Sequence, residues 1–265
     1  MIVGRAGYSA ITEFGLSARS PSPRLMFRAP LMVASPREVT VPYCVRIKIC
    51  CIADVDEARL ATAYGANALG LVSAMPSGPG VIDDEMIARV AAMTPPGVTS
   101  VLLTAEQEPA AIIAQQRRLG PRALQLVDHM EPSALAELRA ALPGIALMPV
   151  IHVTGPGSLD EALAAAPYAH ALLLDSGNPG AAIKELGGTG RTHDWEISRQ
   201  IRERVTVPVF LAGGLNPENV ASAIERVQPY GVDICSGVRT AGRLDRAKLA
   251  AFMRAVRSRW ELDAD

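Results

Sequence analysis

Val45-Arg46-Ile47-Lys48-Ile49-Cys50 alternates apolar and polar side chains around β-branched residues, the pattern of a strand. Asp54 stands where a helix cap would, with Glu57 at the capping-box spacing and Ala58, Leu60, Ala61 and Ala63 as the packed face. The same pair of patterns then recurs. Strands are predicted over 68–72, 98–104, 123–127, 145–151, 169–174, 207–212 and 232–235. Helices are predicted over 83–93, 106–119, 132–141, 159–166, 194–205, 217–227 and 244–260. Pro132 suits a first helical turn, and Asn216 is the expected cap of the seventh helix. Eight strands alternate with eight helices at about 27 residues per unit, the count and length of a single-domain (β/α)8 barrel. A doubly wound open sheet rarely needs so many regular units. The barrel is expected over residues 44–260.

Residues 1–43 do not share this rhythm. They carry Arg5, Arg19, Arg24, Arg28 and Arg37, many serines, and Pro21, Pro23, Pro30 and Pro36, with no sustained period. The expectation is an extension outside the barrel. It is either a disordered tail, a start assigned too early with Met26 or Met32 as the true one, or a segment resembling an organellar transit peptide.

Composition narrows the function classes. Of 265 residues, 49% are hydrophobic and 20% charged, an ordinary globular balance. The net charge of -1 gives no reason to expect a nucleic-acid or membrane partner, so an anionic substrate must be held by local groups. No apolar run approaches the ~20 residues of a membrane span. Cys44, Cys50, Cys51 and Cys235 have no metal-ligand spacing, and the adjacent Cys50 and Cys51 do not suggest a disulfide framework; reduced thiols in the cytoplasm are expected. The histidines have no spaced carboxylates, so no metal site is predicted, and His193 reads as a loop or helix-start residue and not as a ligand.

Candidate chemistry lies where a barrel keeps its site, at the C-terminal strand ends. Asp175 ends the run Leu172-Leu173-Leu174, and Cys50 ends the first strand. A thiol and a carboxyl facing across one mouth make a base–acid pair. Each has a plainer reading: Cys50 as a small buried hydrophobe, Asp175 as a loop cap. Gln125 lies near the end of the fourth strand as possible support. Lys48 shares the inward side with Cys50 and needs a partner, with the Cys50 thiol and Asp175 both open to it. Gly187-Gly188-Thr189-Gly190 follows the sixth strand, Gly213-Gly214 the seventh and Ser236-Gly237 the eighth. These are either tight turns or the backbone N–H cradle of a phosphate, as barrels often provide there.

These residues resemble one family, phosphoribosylanthranilate isomerase of tryptophan biosynthesis. The likeness rests on Lys48-Ile49-Cys50, Gly65–Val72, Leu172–Ser176, Gly187–Gly190, Thr192–Trp195, Val209–Val220, Pro229–Asp233 and Ser236–Val238, and spans about residues 45–256. The resemblance implies an Amadori rearrangement of an N-ribosylated anthranilate without metal or organic cofactor. It implies Asp175 as the general acid that opens the furanose and Cys50 as the base that removes the C2′ proton. Gly188, Thr189, Gly190, Gly213, Gly214, Ser236 and Gly237 would hold the phosphate. The implied partner is a small phosphorylated substrate, and the assembly a monomer or homodimer.

Three places depart from the family. Ser77-Gly78-Pro79-Gly80 stands where the family has Ser-Pro-Arg, whose arginine meets the anthranilate carboxylate. Cys51 replaces the glycine after the catalytic cysteine, and Gln125-Leu126-Val127-Asp128 replaces Gln-Leu-His-Gly. A lost charge-assisted contact of this kind costs roughly 1.5–3 kcal/mol. The departure leaves room for a paralogue acting on another phosphorylated ribosylamine, or for a non-catalytic phosphate-binding barrel. Arg46 and Arg191 are the candidate replacements for the arginine.

Overall fold

A computed structural model of the chain describes residues 44–177, 186 and 190–261. Eight parallel strands close on themselves in chain order: β1 (Arg46–Ile49), β2 (Ala68–Val72), β3 (Thr99–Thr104), β4 (Ala123–Leu126), β5 (Ala146–His152), β6 (Leu172–Asp175), β7 (Val209–Leu211) and β8 (Gly231–Ile234). The seam is β1 against β8, in the register Ile47↔Val232, Lys48↔Asp233 and Ile49↔Ile234. Helices α1 (Val55–Ala63), α2 (Asp84–Met93), α3 (Pro109–Leu119), α4 (Pro132–Ala141), α5 (Ser158–Ala165), α6 (Trp195–Arg204), α7 (Val220–Val227) and α8 (Arg246–Glu261) follow the strands in turn. A short hairpin, β9 (Arg239–Thr240) with β10 (Arg243–Leu244), precedes α8. The fold is the (β/α)8 barrel.

Strand alternation divides the core in two. Ile47, Ile49, Leu69, Leu71, Leu102 and Leu124 point outward and pack on Ala58, Ile87, Ile112 and Leu135 of the helices. Ala68, Val72, Val101, Leu103, Met148, Val150 and Leu173 point inward and fill the barrel. Both strand faces are therefore dry, which is why the strands read as nearly continuous apolar runs. Residues of inward parity near the strand ends are left to form the floor and walls of the mouth.

The differences from the predicted boundaries have local causes. The third helix begins at Pro109, not at residue 106, because proline suits the first turn and holds Glu108 extended at φ -82°, ψ 119°. The sixth strand begins at Leu172, since Ala166–Tyr168 forms a 3-10 turn and the Ala169 N–H returns to the Ala166 carbonyl. It also runs on to include Asp175, which pairs in register with His152. The seventh strand is trimmed to Val209–Leu211, where Pro208 has no N–H to offer a ladder. Asn216 does act as a cap, but of a turn that precedes α7: its Oδ1 accepts from the N–H groups of Glu218 (3.0 Å) and Asn219 (2.9 Å).

Candidate active site

The floor of the mouth is an ion pair inside the barrel. Lys48 on β1 is fully buried, and its Nζ donates to Asp233 Oδ1 on β8 at 2.9 Å. The partner of the inward lysine is therefore Asp233, directly opposite in register, and not Asp175. Burial alone would push the lysine down, but the Asp233 carboxylate overrides it and holds the amine well above its ordinary value. Burial pushes the Asp233 carboxyl up, with Lys48 opposing.

Cys50 leaves β1 directly above this pair, and its N–H donates to the Ile234 carbonyl at 2.8 Å. Gly70 on β2 makes room for both neighbours. A Cβ there would lie 2.9 Å from Cys50 Sγ and 3.0 Å from Lys48 Nζ. Gly70→Ala is accordingly expected to displace the thiol and to cost about 1–3 kcal/mol of stability by overpacking, checked by urea unfolding and by turnover. The chain after Cys50 is tied down by a residue that follows β8. Arg239 Nη2 donates to the carbonyls of Cys50 and Cys51, while Nη1 meets Glu57 Oε2 at 3.1 Å in a nearly dry ion pair. Glu57 also accepts the Ala53 and Leu244 N–H groups, so the predicted capping residue joins α1 to the β9–β10 hairpin.

Asp175 stands at the end of β6 and is 8% exposed. Burial raises its carboxyl above the usual carboxylate range, and the Ser176 N–H, which donates to Oδ1 at 2.7 Å, pulls the other way. Beside it on β5, His152 is buried, with Nε2 2.9 Å from the Val127 carbonyl. A carbonyl only accepts, so Nε2 carries the proton.

One cleft collects Cys50, Gln125, Asp175, Gly190, Gly213, Gly214 and Ser236 in its wall. Lys48 lies below that wall, and Gly237 is turned away from it. A Cβ on Gly237 would come within 2.2 Å of the Leu215 carbonyl, so this glycine packs the loop after β8 against the loop after β7. Gly188 and Thr189 lie outside the described residues. Gly213 and Gly214 have φ of 80° and 60°, and a Cβ on Gly214 would fall 2.5 Å from the Arg191 backbone. Only glycine suits both the dihedral and the gap. Gln125 points into the cleft with its Oε1 buried and without a hydrogen-bond partner among the described residues.

His193 supports the glycine loop from behind. Its Nε2 lies 2.6 Å from Ser198 Oγ, and Nδ1 faces Gly213. Burial pushes the imidazole down to about 4. The unfolded chain takes up a proton near pH ~6.5 that the folded chain refuses, so stability is full above that pH and falls as pH drops toward 4. The expected loss from this group is about 3 kcal/mol. Urea unfolding at pH 7 and pH 4.5 should show a smaller loss in His193→Asn than in the parent.

The side of the cleft between β1 and β2 is lined by Cys51, Met75, Ser77, Gly78 and Pro79. No lysine or arginine lines the cleft among the described residues. Arg46 is no substitute for the family's arginine. It sits at the N-terminal end of β1, four residues and about 13 Å of strand below Cys50. Arg191 is exposed, with its backbone against Gly214 on the side of the loop after β7.

No motif or periodicity in the sequence marks Glu57 or Arg239 as site-supporting residues, and Asp233 is marked only indirectly. The signal for Asp233 was present in the inward lysine, which demands a buried acid, and in the inward parity of Asp233 on the closing strand.

A family model described as N-(5′-phosphoribosyl)anthranilate (PRA) isomerase matches residues 47–255. The N-(5′-phosphoribosyl)anthranilate isomerase of Methanocella arvoryzae is 36% identical over 213 residues, covering 80% of this chain and 98% of the relative. The phosphoribosyl anthranilate isomerase of Thermotoga maritima superposes with a TM-score of 0.69 at 30% identity, over 81% of this chain and 99% of that one. A phosphoribosyl anthranilate isomerase solved in complex with reduced 1-(o-carboxyphenylamino)-1-deoxyribulose 5-phosphate gives 0.67 at 28% identity, with coverage of 81% and 99%.

Proposed function

Since the chain belongs to the N-(5′-phosphoribosyl)anthranilate isomerase family, we propose that its cleft performs that family's Amadori rearrangement with Asp175 as acid and Cys50 as base. The observation that carries the assignment is the joint presence of these two side chains in one cleft, at the ends of β6 and β1. Asp175 gives its proton to the ring oxygen of the phosphoribosyl group. The C1′–O4′ bond breaks, and the nitrogen lone pair closes a Schiff base. Cys50 takes the C2′ proton, the electrons move onto nitrogen, and the enolamine tautomerises to the 1-deoxyribulose product. A carboxyl raised by burial holds a proton closer to neutral pH, which suits the acid's task.

The backbone N–H groups of Gly190, Gly213, Gly214 and Ser236 anchor the phosphate in this reading, and Gln125 Oε1 accepts from a ribose hydroxyl. Gly188 and Thr189 immediately precede Gly190 in the sequence, and Gly237 follows Ser236. Anchoring the phosphate presents C2′ and the ring oxygen to two fixed groups, and that orientation supplies much of the rate. Among the described residues no helix is long and apolar enough to cross a membrane. The proposal places the enzyme in the cytoplasm, working on a small phosphorylated substrate.

A second reading is favoured by one observation, the absence of a basic side chain from the described cleft wall. A paralogue acting on a phosphorylated ribosylamine with an uncharged aglycone would need none. A non-catalytic phosphate binder would need neither Cys50 nor Asp175. The deciding experiment is complementation of a tryptophan auxotroph lacking this isomerase, on medium without tryptophan. The proposal predicts growth with the parent gene and none with Cys50→Ala; no growth with a well-expressed parent would transfer the assignment to the paralogue.

A further inference from the structure

Cys51 and Cys235 are brought together by the ends of the two seam strands. In register, the residue after Ile49 faces the residue after Ile234, so Cys50 and Cys235 are cross-strand neighbours and Cys51 is the next diagonal one. Both strands break direction at this point. Cys51 takes φ 61° and Cys235 takes φ -121°, ψ -85°. The two Sγ atoms lie 2.6 Å apart, and both cysteines are free thiols. Neighbouring strands run ~4.8 Å apart, and a disulfide spans Cα separations of roughly 4.4–6.8 Å, so the bond needs no movement of the barrel. Both residues line the cleft, with Cys235 partly exposed and Cys51 buried.

We propose that Cys51 and Cys235 form a redox-active dithiol, oxidised to a disulfide by a hydroperoxide or a small-molecule disulfide, that gates the cleft between β1 and β2. With a hydroperoxide, one thiolate attacks the outer oxygen and becomes a sulfenic acid as the O–O bond breaks. The second thiol attacks that sulfur, and water leaves. Two thiols give up two electrons and two protons, and the hydroperoxide is reduced to water and an alcohol or a second water. A small-molecule disulfide does the same through a mixed disulfide, releasing two thiols. Cys235 is suited to open the sequence, because its hydrogen bond with Cys51 and the nearby Arg239 guanidinium hold its thiol below the ordinary value.

The consequence for the cleft follows from what else Cys51 touches. Its Sγ also lies 3.6 Å from the Pro79 carbonyl, and Gly80 approaches so closely that a Cβ there would be 2.4 Å from Cys51 Cβ. The loop after β2 thus rests on Cys51. A disulfide takes away the S–H that faces Pro79 and releases that loop from the aglycone side, while Cys50 keeps its thiol.

The turnover part of the inference rests on the isomerase reading; the disulfide itself does not. The test treats the full chain with hydrogen peroxide, then separately with oxidised glutathione, and maps the thiols by peptide mass before and after dithiothreitol. The expected result is a reversible link between Cys51 and Cys235, lost in Cys51→Ser and in Cys235→Ser, with Cys50 still alkylatable. Each protein's turnover is compared with its own reduced form. The parent should lose roughly fivefold in kcat/KM, the worth of one hydrogen bond, and recover it with dithiothreitol; each variant should lose nothing. Oxidation that falls on Cys50, or no link to Cys235, overturns the dithiol. A link that leaves the parent's turnover unchanged overturns the gate. Failure of the reduced parent to turn over would count against the isomerase reading while the mapped link still stood.

Discussion

Asp175→Asn is expected to lower kcat by roughly 10²–10⁴-fold, the range for a positioned general acid, and to leave the barrel folded. Asparagine keeps the shape and an oxygen for the Ser176 N–H, which now donates to Asp175 Oδ1 at 2.7 Å. It cannot release a proton to a ring oxygen. The stability change has a definite sign. Burial raises this carboxyl above its unfolded value, so at pH 7, where the unfolded chain is ionised, the carboxyl works against folding. Removing the charge should raise the unfolding midpoint at pH 7, and this gain should shrink as pH falls and the parent becomes protonated. A kcat within a few-fold of the parent would remove Asp175 from the mechanism. A large loss of both rate and stability would make it a structural group.

The largest stability effect is expected at Asp233. Asp233→Ala leaves Lys48 at 0% side-chain exposure with its only ion-pair partner among the described residues gone. Breaking one side of a buried pair typically costs about 3–5 kcal/mol, most of it the penalty on the stranded charge. The double variant Lys48→Met/Asp233→Leu should recover most of that loss, because apolar groups of similar volume replace a buried pair at little cost. Urea unfolding of Lys48→Met, Asp233→Leu and the double variant completes the cycle. Turnover is expected to fall in all three, since Lys48 Nζ and Cys50 Sγ share the space over Gly70. A cost below about 1 kcal/mol for Asp233→Ala would mean that the lysine is not held by this carboxylate.

Much of the barrel could be read from the chain because both strand faces are dry. Runs such as Ala68–Val72 and Leu172–Asp175 stand out against the amphipathic helices between them. Boundaries shifted where local chemistry intervened, at Pro109, Pro208, the 3-10 turn before β6, the Asn216-capped turn before α7 and the hairpin before α8. The site was legible one residue at a time. Cys50, Gln125, Asp175 and the glycine doublet after β7 were named by strand-end position, and the cleft collects them. Pairing across the seam was far less legible, with only the inward parity of Lys48 and Asp233 to hint at it. Lys48 with Asp233 and Cys51 with Cys235 are each separated by more than 180 residues, and only the β1–β8 register sets them opposite one another. The tie from Arg239 to the Cys50 and Cys51 carbonyls depends on where a two-residue hairpin strand folds back, and no periodicity announces that.

Asp175, Cys50 and the loops after β7 and β8 surround one cleft, whereas the wall between β1 and β2 carries thiols, Met75 and a glycine–proline turn. The most direct test mixes purified protein with freshly made phosphoribosylanthranilate and follows the loss of anthranilate-type fluorescence, with Cys50→Ala as control. The account predicts turnover by the parent and its loss in the control. Turnover that survives in Cys50→Ala, or its absence from a folded parent that binds inorganic phosphate, would contradict it.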